Sequence, residues 1–222
     1  MTDMTFTVLD VVAEPYSVTP LLAARIGVTS SDDEPVYAVA LRCQTRIEPL
    51  RRPYSDAEAR GLTDLFGTRE RWANTQRTFL WQHSTAMVPG FTHVTEVSLP
   101  LECTYDFEVA ASKYLHALRD GTIPLQFLFS GTIFRKNDQS FAVQQVSWEC
   151  EARYDVPLAV WKDLVKLHYP NAGWVRLGHD TVSALAAYKS ARGMIDFDEA
   201  VNTLLAVAPQ LVAPTPQSGV VR

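Results

Sequence analysis

Apolar and polar positions alternate along most of the first 156 residues. Phe6 and Val8 alternate with polar neighbours in segment 5–13, and Leu22, Ala24, Ile26 and Val28 repeat the pattern. A polar turn, Ser30-Ser31-Asp32-Asp33-Glu34-Pro35, precedes the clearest run. There Tyr37, Val39, Leu41, Cys43, Thr45 and Ile47 fall on one face. Ala38, Ala40, Arg42, Gln44, Arg46 and Glu48 fall on the other. Period two is the signature of a half-buried antiparallel strand. Pro49 and Pro53 end it. Further strands are predicted over 78–88 and 92–101, turned by Pro89-Gly90, and at Tyr105, Phe107 and Val109. Two more follow, 123–135, apolar enough for burial on both faces, and 141–154, joined by a hairpin at 136–139. About seven or eight short strands at this spacing predict a β-sandwich.

Two regions change period. Ser55-Asp56-Ala57-Glu58 is a capping box, in which hydroxyl and carboxylate satisfy free N–H groups at a helix start. Leu62, Leu65 and Phe66 supply its apolar stripe, Gly67 its stop, and 69–72 a further short turn. This places a helical insertion at 55–72. A helix is also expected over 110–118. After Pro157, helical spacing takes over at 158–168, with Val160, Trp161, Leu164 and Val165. Asp180 is expected to cap a helix running to Lys189, and Asp196 to open another. The predicted fold class is therefore α+β: an antiparallel β-sandwich core over 1–156, with the insertion. A C-terminal helical layer, 157–208, packs on it. The tail 209–222, rich in Pro, Gly and Ser, reads as disordered.

The chain has 222 residues, enough for one large core. Its net charge is −5, which leaves no overall electrostatic footprint for nucleic acid. No apolar run approaches a membrane span, and the first residues lack the pattern of a signal peptide. The three cysteines, Cys43, Cys103 and Cys150, are odd in number and far apart. That fits a reducing, cytoplasmic setting and buried thiols. No close ligand pair marks a metal site, although His83 and His93 would face one another across the Pro89-Gly90 hairpin in one register. No cofactor is expected.

Candidate chemistry is sparse. Asp106 and Glu108, two residues apart on one strand, form a carboxylate pair of the kind that serves as acid and base when their pKa values are driven apart. The plainer reading is a solvated face paired with Arg42 and Arg46, which share a strand face. Arg42, Arg46, Arg51 and Arg52 make a basic cluster suited to an acidic partner. Trp161 and Trp174 are candidate anchors for a protein partner, since Trp dominates binding hot spots. The plainer reading is that they dock helices on the sheet. Nucleophile elbows and Gly-rich phosphate loops are absent.

Five runs together carry a resemblance: YAVALRCQTRIEP (37–49), MVPGF (87–91), CTYDFEVAASKYLHAL (103–118), FSGT (129–132) and YPNAGW (169–174). Across about residues 4–206 the pattern resembles an uncharacterised bacterial domain-of-unknown-function family. The resemblance implies occurrence beside uptake NiFe hydrogenase genes, and so an accessory role toward a hydrogenase subunit or maturation factor. It assigns no catalytic residues. The expected function is a non-enzymatic protein-binding or accessory protein, with an enzyme using Asp106 and Glu108 as the alternative.

Overall fold

The structure is a computed structural model that describes residues 4–103, 109–136, 141–170, 173 and 175–207. Contacts divide the chain into two bodies, 1–175 and 176–222.

The first body is the predicted antiparallel sandwich. One sheet has the order β1 (Met4–Ala13), β2 (Leu21–Ser30), β5 (Val94–Glu102). The other is built on β6 (Thr122–Lys136). Its first edge pairs with β3 (Val36–Ile47), which pairs in turn with β4 (Phe79–Val88). Its second edge carries both β7 (Phe141–Gln145) and β8 (Glu151–Pro157). Inward positions meet between the sheets: Phe6, Ile26 and Leu99 from one, Leu41, Phe127 and Ile133 from the other. Phe6 stacks on Phe129 at 4.5 Å across the gap. Each such large apolar side chain contributes about 1.5–3 kcal/mol by leaving water. Ile123 to Phe127 are buried on consecutive positions, as expected for the central strand.

Three expectations change. The alternation puts Tyr37 on one face with Val39 and Leu41, yet it is 59% exposed and Val36 is buried instead. The β3–β6 register shifts between Val36 and Ala38, and one extra residue reverses the side-chain direction there. The return strand 141–154 is two strands, interrupted by an excursion at 146–150. Asp180 lies in the first turn of α6 (His179–Ala191) rather than at its cap, which is Gly178. Asp196 does open α7 (Phe197–Val207), its carboxylate accepting the Glu199 N–H at 2.8 Å. The strand expected at Tyr105 and Phe107, and the tail 209–222, lie outside the described residues.

Helices of the first body close the sandwich end where β3 stops and β4 and β6 begin. The capping box is present, and starts α1 (Asp56–Gly61), followed by α2 (Thr63–Phe66) and α3 (Trp72–Thr75). With α4 (Ala110–Ala117) they enclose Leu62, Phe66, Tyr114 and Leu118, and Tyr114 meets Phe79 edge-on at 5.8 Å. The helix α5 (Leu158–His168) belongs to this body too, burying Leu158, Trp161 and Leu164. No helix among the described residues is long and apolar enough to cross a membrane.

A buried ion pair ties this cap to the sheet. Arg52 donates to Glu58 Oε1 at 2.8 Å, to the Thr122 carbonyl at 3.0 Å and to the Asp120 carbonyl at 2.9 Å. Glu58 also accepts the Arg119 N–H and the Ser55 N–H, each at 2.8 Å. Desolvation pushes the Glu58 carboxyl up, but these backbone N–H groups and the Arg52 charge outweigh it and hold it below the ordinary carboxylate value.

Glu58→Gln should therefore destabilise the protein by about 3 kcal/mol near neutral pH. A folded value below the unfolded one means that Glu58 stabilises above the unfolded pKa of about 4.3. The gap between wild type and variant in urea melts should shrink as pH falls through the folded value; a gap that grows toward acid contradicts the assignment. Gly131→Ala tests the β3–β6 contact. Gly131 has φ +148°, and a Cβ there would lie 2.2 Å from the Ala40 carbonyl oxygen. We expect a loss of about 3 kcal/mol or more in the same melts.

Candidate functional site

Among the described residues, no helix covers the end of the sandwich opposite the helical cap. A groove of about 1040 Å³ lies there between the first residues of β1 and the excursion joining β7 to β8. Its geometry follows from strand pairing. The Val146 N–H donates to the Gly131 carbonyl at 3.0 Å, and the Phe129 N–H donates to the Cys150 carbonyl at 2.9 Å. Five residues, 146–150, thus stand opposite three of β6, and the surplus is pushed out of the sheet. Trp148 sits at its tip, 87% exposed. Val146 is buried and anchors the near end. Cys150 anchors the far end, its thiol donating to the Met4 carbonyl at 3.3 Å.

The groove is apolar at its base and polar at its rim. Met4 and Phe6 form the base; Thr5, Thr29, Ser31, Gln144, Gln145 and Ser147 line the sides, with Glu149 adding negative charge and Glu151 paired with Arg153 at 3.0 Å. β1 is an edge strand of its sheet, so its outer edge faces this side. Its second half is occupied by other contacts: Tyr154 donates to Asp10 at 3.2 Å. One wall is held by Arg135, whose side chain is 1% exposed. It pairs with Asp32 at 3.0 Å, donates to the Glu34 carbonyl and reaches Gln144 at 3.3 Å. This buried cation fixes the β2–β3 turn and β7 to one another, so the groove is preformed.

The residues singled out from the sequence are scattered. Arg42 and Arg46 do share the outer face of β3, Arg42 between Thr85 and Ser130 and Arg46 between Leu80 and Gln126. Arg51 is held by Glu48 at 3.1 Å and Asp155 at 2.9 Å, and Arg153 also bridges to Glu48. Acidic neighbours offset the expected basic cluster at that end. Arg52 is not on a docking surface: its side chain is 9% exposed and bound to Glu58. Trp161 is not one either. It is buried, edge-on to His116 at 4.8 Å, and docks α5 on the cap. Asp106, Glu108 and Trp174 lie outside the described residues. His83 stands opposite Gln44 on β3, while β4 and β5 belong to different sheets, so His83 and His93 do not form a cross-hairpin pair. Among the described residues no group of three or more His, Cys, Asp and Glu side chains is placed to hold a metal ion.

Trp148 escaped the sequence reading because Phe141 to Tyr154 looked like one alternating strand. The available signal was Gly131 on the partner strand, since an isolated glycine in a strand marks a bulge or close approach.

The fold and groove define a two-layer antiparallel sandwich, closed at one end by helices and carrying the groove toward the other. The chain belongs to a family of unknown function, DUF6084, whose model matches residues 1–212. No curated protein matches it. Among solved structures, a CARDB domain from Pyrococcus furiosus, solved with di-metal ions, aligns at 11% identity and TM-score 0.27. That alignment covers 70% of this chain and 87% of that one. A putative ApaA protein from Bordetella pertussis aligns at 11% identity and TM-score 0.26, covering 70% of this chain and 94% of that one. A β-glucosidase from Kluyveromyces marxianus aligns at 14% identity and TM-score 0.24, over 70% of this chain and 15% of that one. Likeness at this level carries no argument about function.

The thiols offer a check on the groove. Burial raises Cys43 and Cys103 to about 12, and it also raises the half-buried Cys150. Maleimide should label native protein at Cys150 first, slowly at neutral pH and faster as pH rises and the thiolate fraction grows. Cys43 and Cys103 should react only on unfolding. Peptide mass spectrometry reads the order, and labelling of Cys43 ahead of Cys150 contradicts it.

Proposed function

We propose that this protein is a non-enzymatic binding or accessory protein that grips an extended segment of a protein partner at the groove end of its sandwich. The observation that carries this reading is Trp148, a fully presented indole on a pinned excursion beside a preformed groove. An exposed tryptophan over an apolar base is the kind of anchor that dominates interface energetics. Past the Met4 carbonyl, which the Cys150 thiol occupies, the first half of the β1 edge offers main-chain hydrogen bonds to an incoming strand. Glu149 on the rim favours a segment carrying a basic residue beside its apolar anchor. Within this reading the partner is a hydrogenase subunit or maturation factor, the accessory role that the sequence resemblance implies.

The test is co-purification with the uptake hydrogenase from cells expressing tagged wild type, Trp148→Ala or the double variant Arg42→Glu/Arg46→Glu. Trp148→Ala should weaken capture by about 30-fold or more, the scale of a hot-spot loss, without lowering thermal stability. The arginine variant should capture normally. Loss in the arginine variant alone moves the site to the outer face of β3. Normal capture by both removes the groove, and no hydrogenase with wild type removes the partner.

A further inference from the structure

Charges on the outer face of the five-stranded sheet do not cancel. Arg42, Gln44 and Arg46 follow one another along that face of β3. Register places Thr85 and Ser130 beside Arg42, His83 and Leu128 beside Gln44, and Leu80 and Gln126 beside Arg46. One step before Arg42, Ala40 stands between Met87 and Thr132. None of these positions is acidic. The acids toward β8 are already engaged by other side chains. Glu48 accepts from Arg51 at 3.1 Å and from Arg153 at 3.2 Å, and Asp155 accepts from Arg51 at 2.9 Å. Glu151 accepts from Arg153 and from Gln126, each at 3.0 Å. Among the described residues neither Arg42 nor Arg46 has a carboxylate partner. The strip is a surplus of positive charge on a chain whose net charge is −5.

The spacing of the two arginines selects what can neutralise them. Four residues of strand span about 13 Å. Carboxylates four residues apart on an extended segment have the same separation, so a segment lying along β3 sets one on each guanidinium. The same distance along a helix is about nine residues, which point to opposite sides. Each guanidinium offers a fork of donors that matches one carboxylate. The exposed hydroxyls of Thr85 and Ser130 flank Arg42 and add donors there. Met87, also exposed, gives the segment an apolar contact two residues before the first carboxylate.

We propose that the outer face of β3 is a second docking surface, taking an extended acidic segment of a partner protein with carboxylates four residues apart on Arg42 and Arg46. This surface is independent of the groove and of the groove's partner.

Anisotropy of two fluorescein-labelled peptides of one composition, titrated with the full chain at about 50 mM salt, reads the outcome. Leu-Thr-Glu-Thr-Thr-Thr-Glu-Thr should bind about fivefold more tightly than Leu-Thr-Glu-Glu-Thr-Thr-Thr-Thr, which reaches only one arginine at a time; fivefold is the scale of one exposed ion pair. Arg42→Glu/Arg46→Glu should weaken binding of the first peptide by about 30-fold, because two attractions become repulsions. Arg42→Gln/Arg46→Gln, which removes the charges without reversing them, should weaken it by about tenfold. Equal binding of the two peptides is what an unspecific cationic surface gives, and it overturns the proposal without recourse to any variant. A first peptide that binds wild type and both variants alike overturns it too, as does one that fails to bind wild type at about 1 mM.

Discussion

The contact between β3 and β6 at Gly131 sets the terms for the rest of the molecule. The Ala40 carbonyl oxygen occupies the space where any other residue would place its Cβ. That approach keeps β3 paired along β6, from Val36 opposite Arg135 to Ile47 opposite Leu125. The other edge of β6 is then divided between two short strands. Pairing with β7 stops opposite Thr132, and pairing with β8 begins opposite Leu128. The residues between must leave the sheet, and the Gly131 carbonyl fixes where they do so by accepting the Val146 N–H. One glycine thus links sheet packing to the display of Trp148.

The two ends of the sandwich are held by different chemistry. The helical cap relies on Arg52 and Glu58, a buried pair with its remaining hydrogen-bonding capacity directed to backbone groups. A pair so satisfied gives geometric definition, and removing one partner leaves a buried charge uncompensated. The groove end uses Arg135 instead, drawing the β2–β3 turn and Gln144 together without filling the space in front of them. Rigid walls with an unfilled groove are what a preorganised binding surface requires, because less ordering entropy is lost on association.

Local signals in the sequence were legible, and long-range ones were not. The capping box at Ser55 and Glu58, the glycine stop at Gly67 and the alternation along β1, β2 and β3 are written within a few residues of one another, and each appears in the structure. Tyr37 was misplaced because a bulge turns on how two strands register, which one strand cannot reveal. Arg52 read as part of a surface cluster because its carbonyl partners, Asp120 and Thr122, are about 70 positions away. Trp148 was invisible for a related reason. Its exposure follows from β6 pairing with two strands on one edge, and the segment's own alternation suggested otherwise. The shared face of Arg42 and Arg46 was legible, but the acids that offset Arg51 come partly from β8.

Hydroxyl-radical footprinting of the protein, alone and in complex with the proposed partner, tests the central claim that the 146–150 excursion is the working surface. Alone, Trp148 should oxidise faster than Trp72, Trp81 and Trp161, which are half-buried or buried. In the complex its rate should fall by about tenfold or more, while those three change little. A Trp148 rate unchanged by the bound partner contradicts the account.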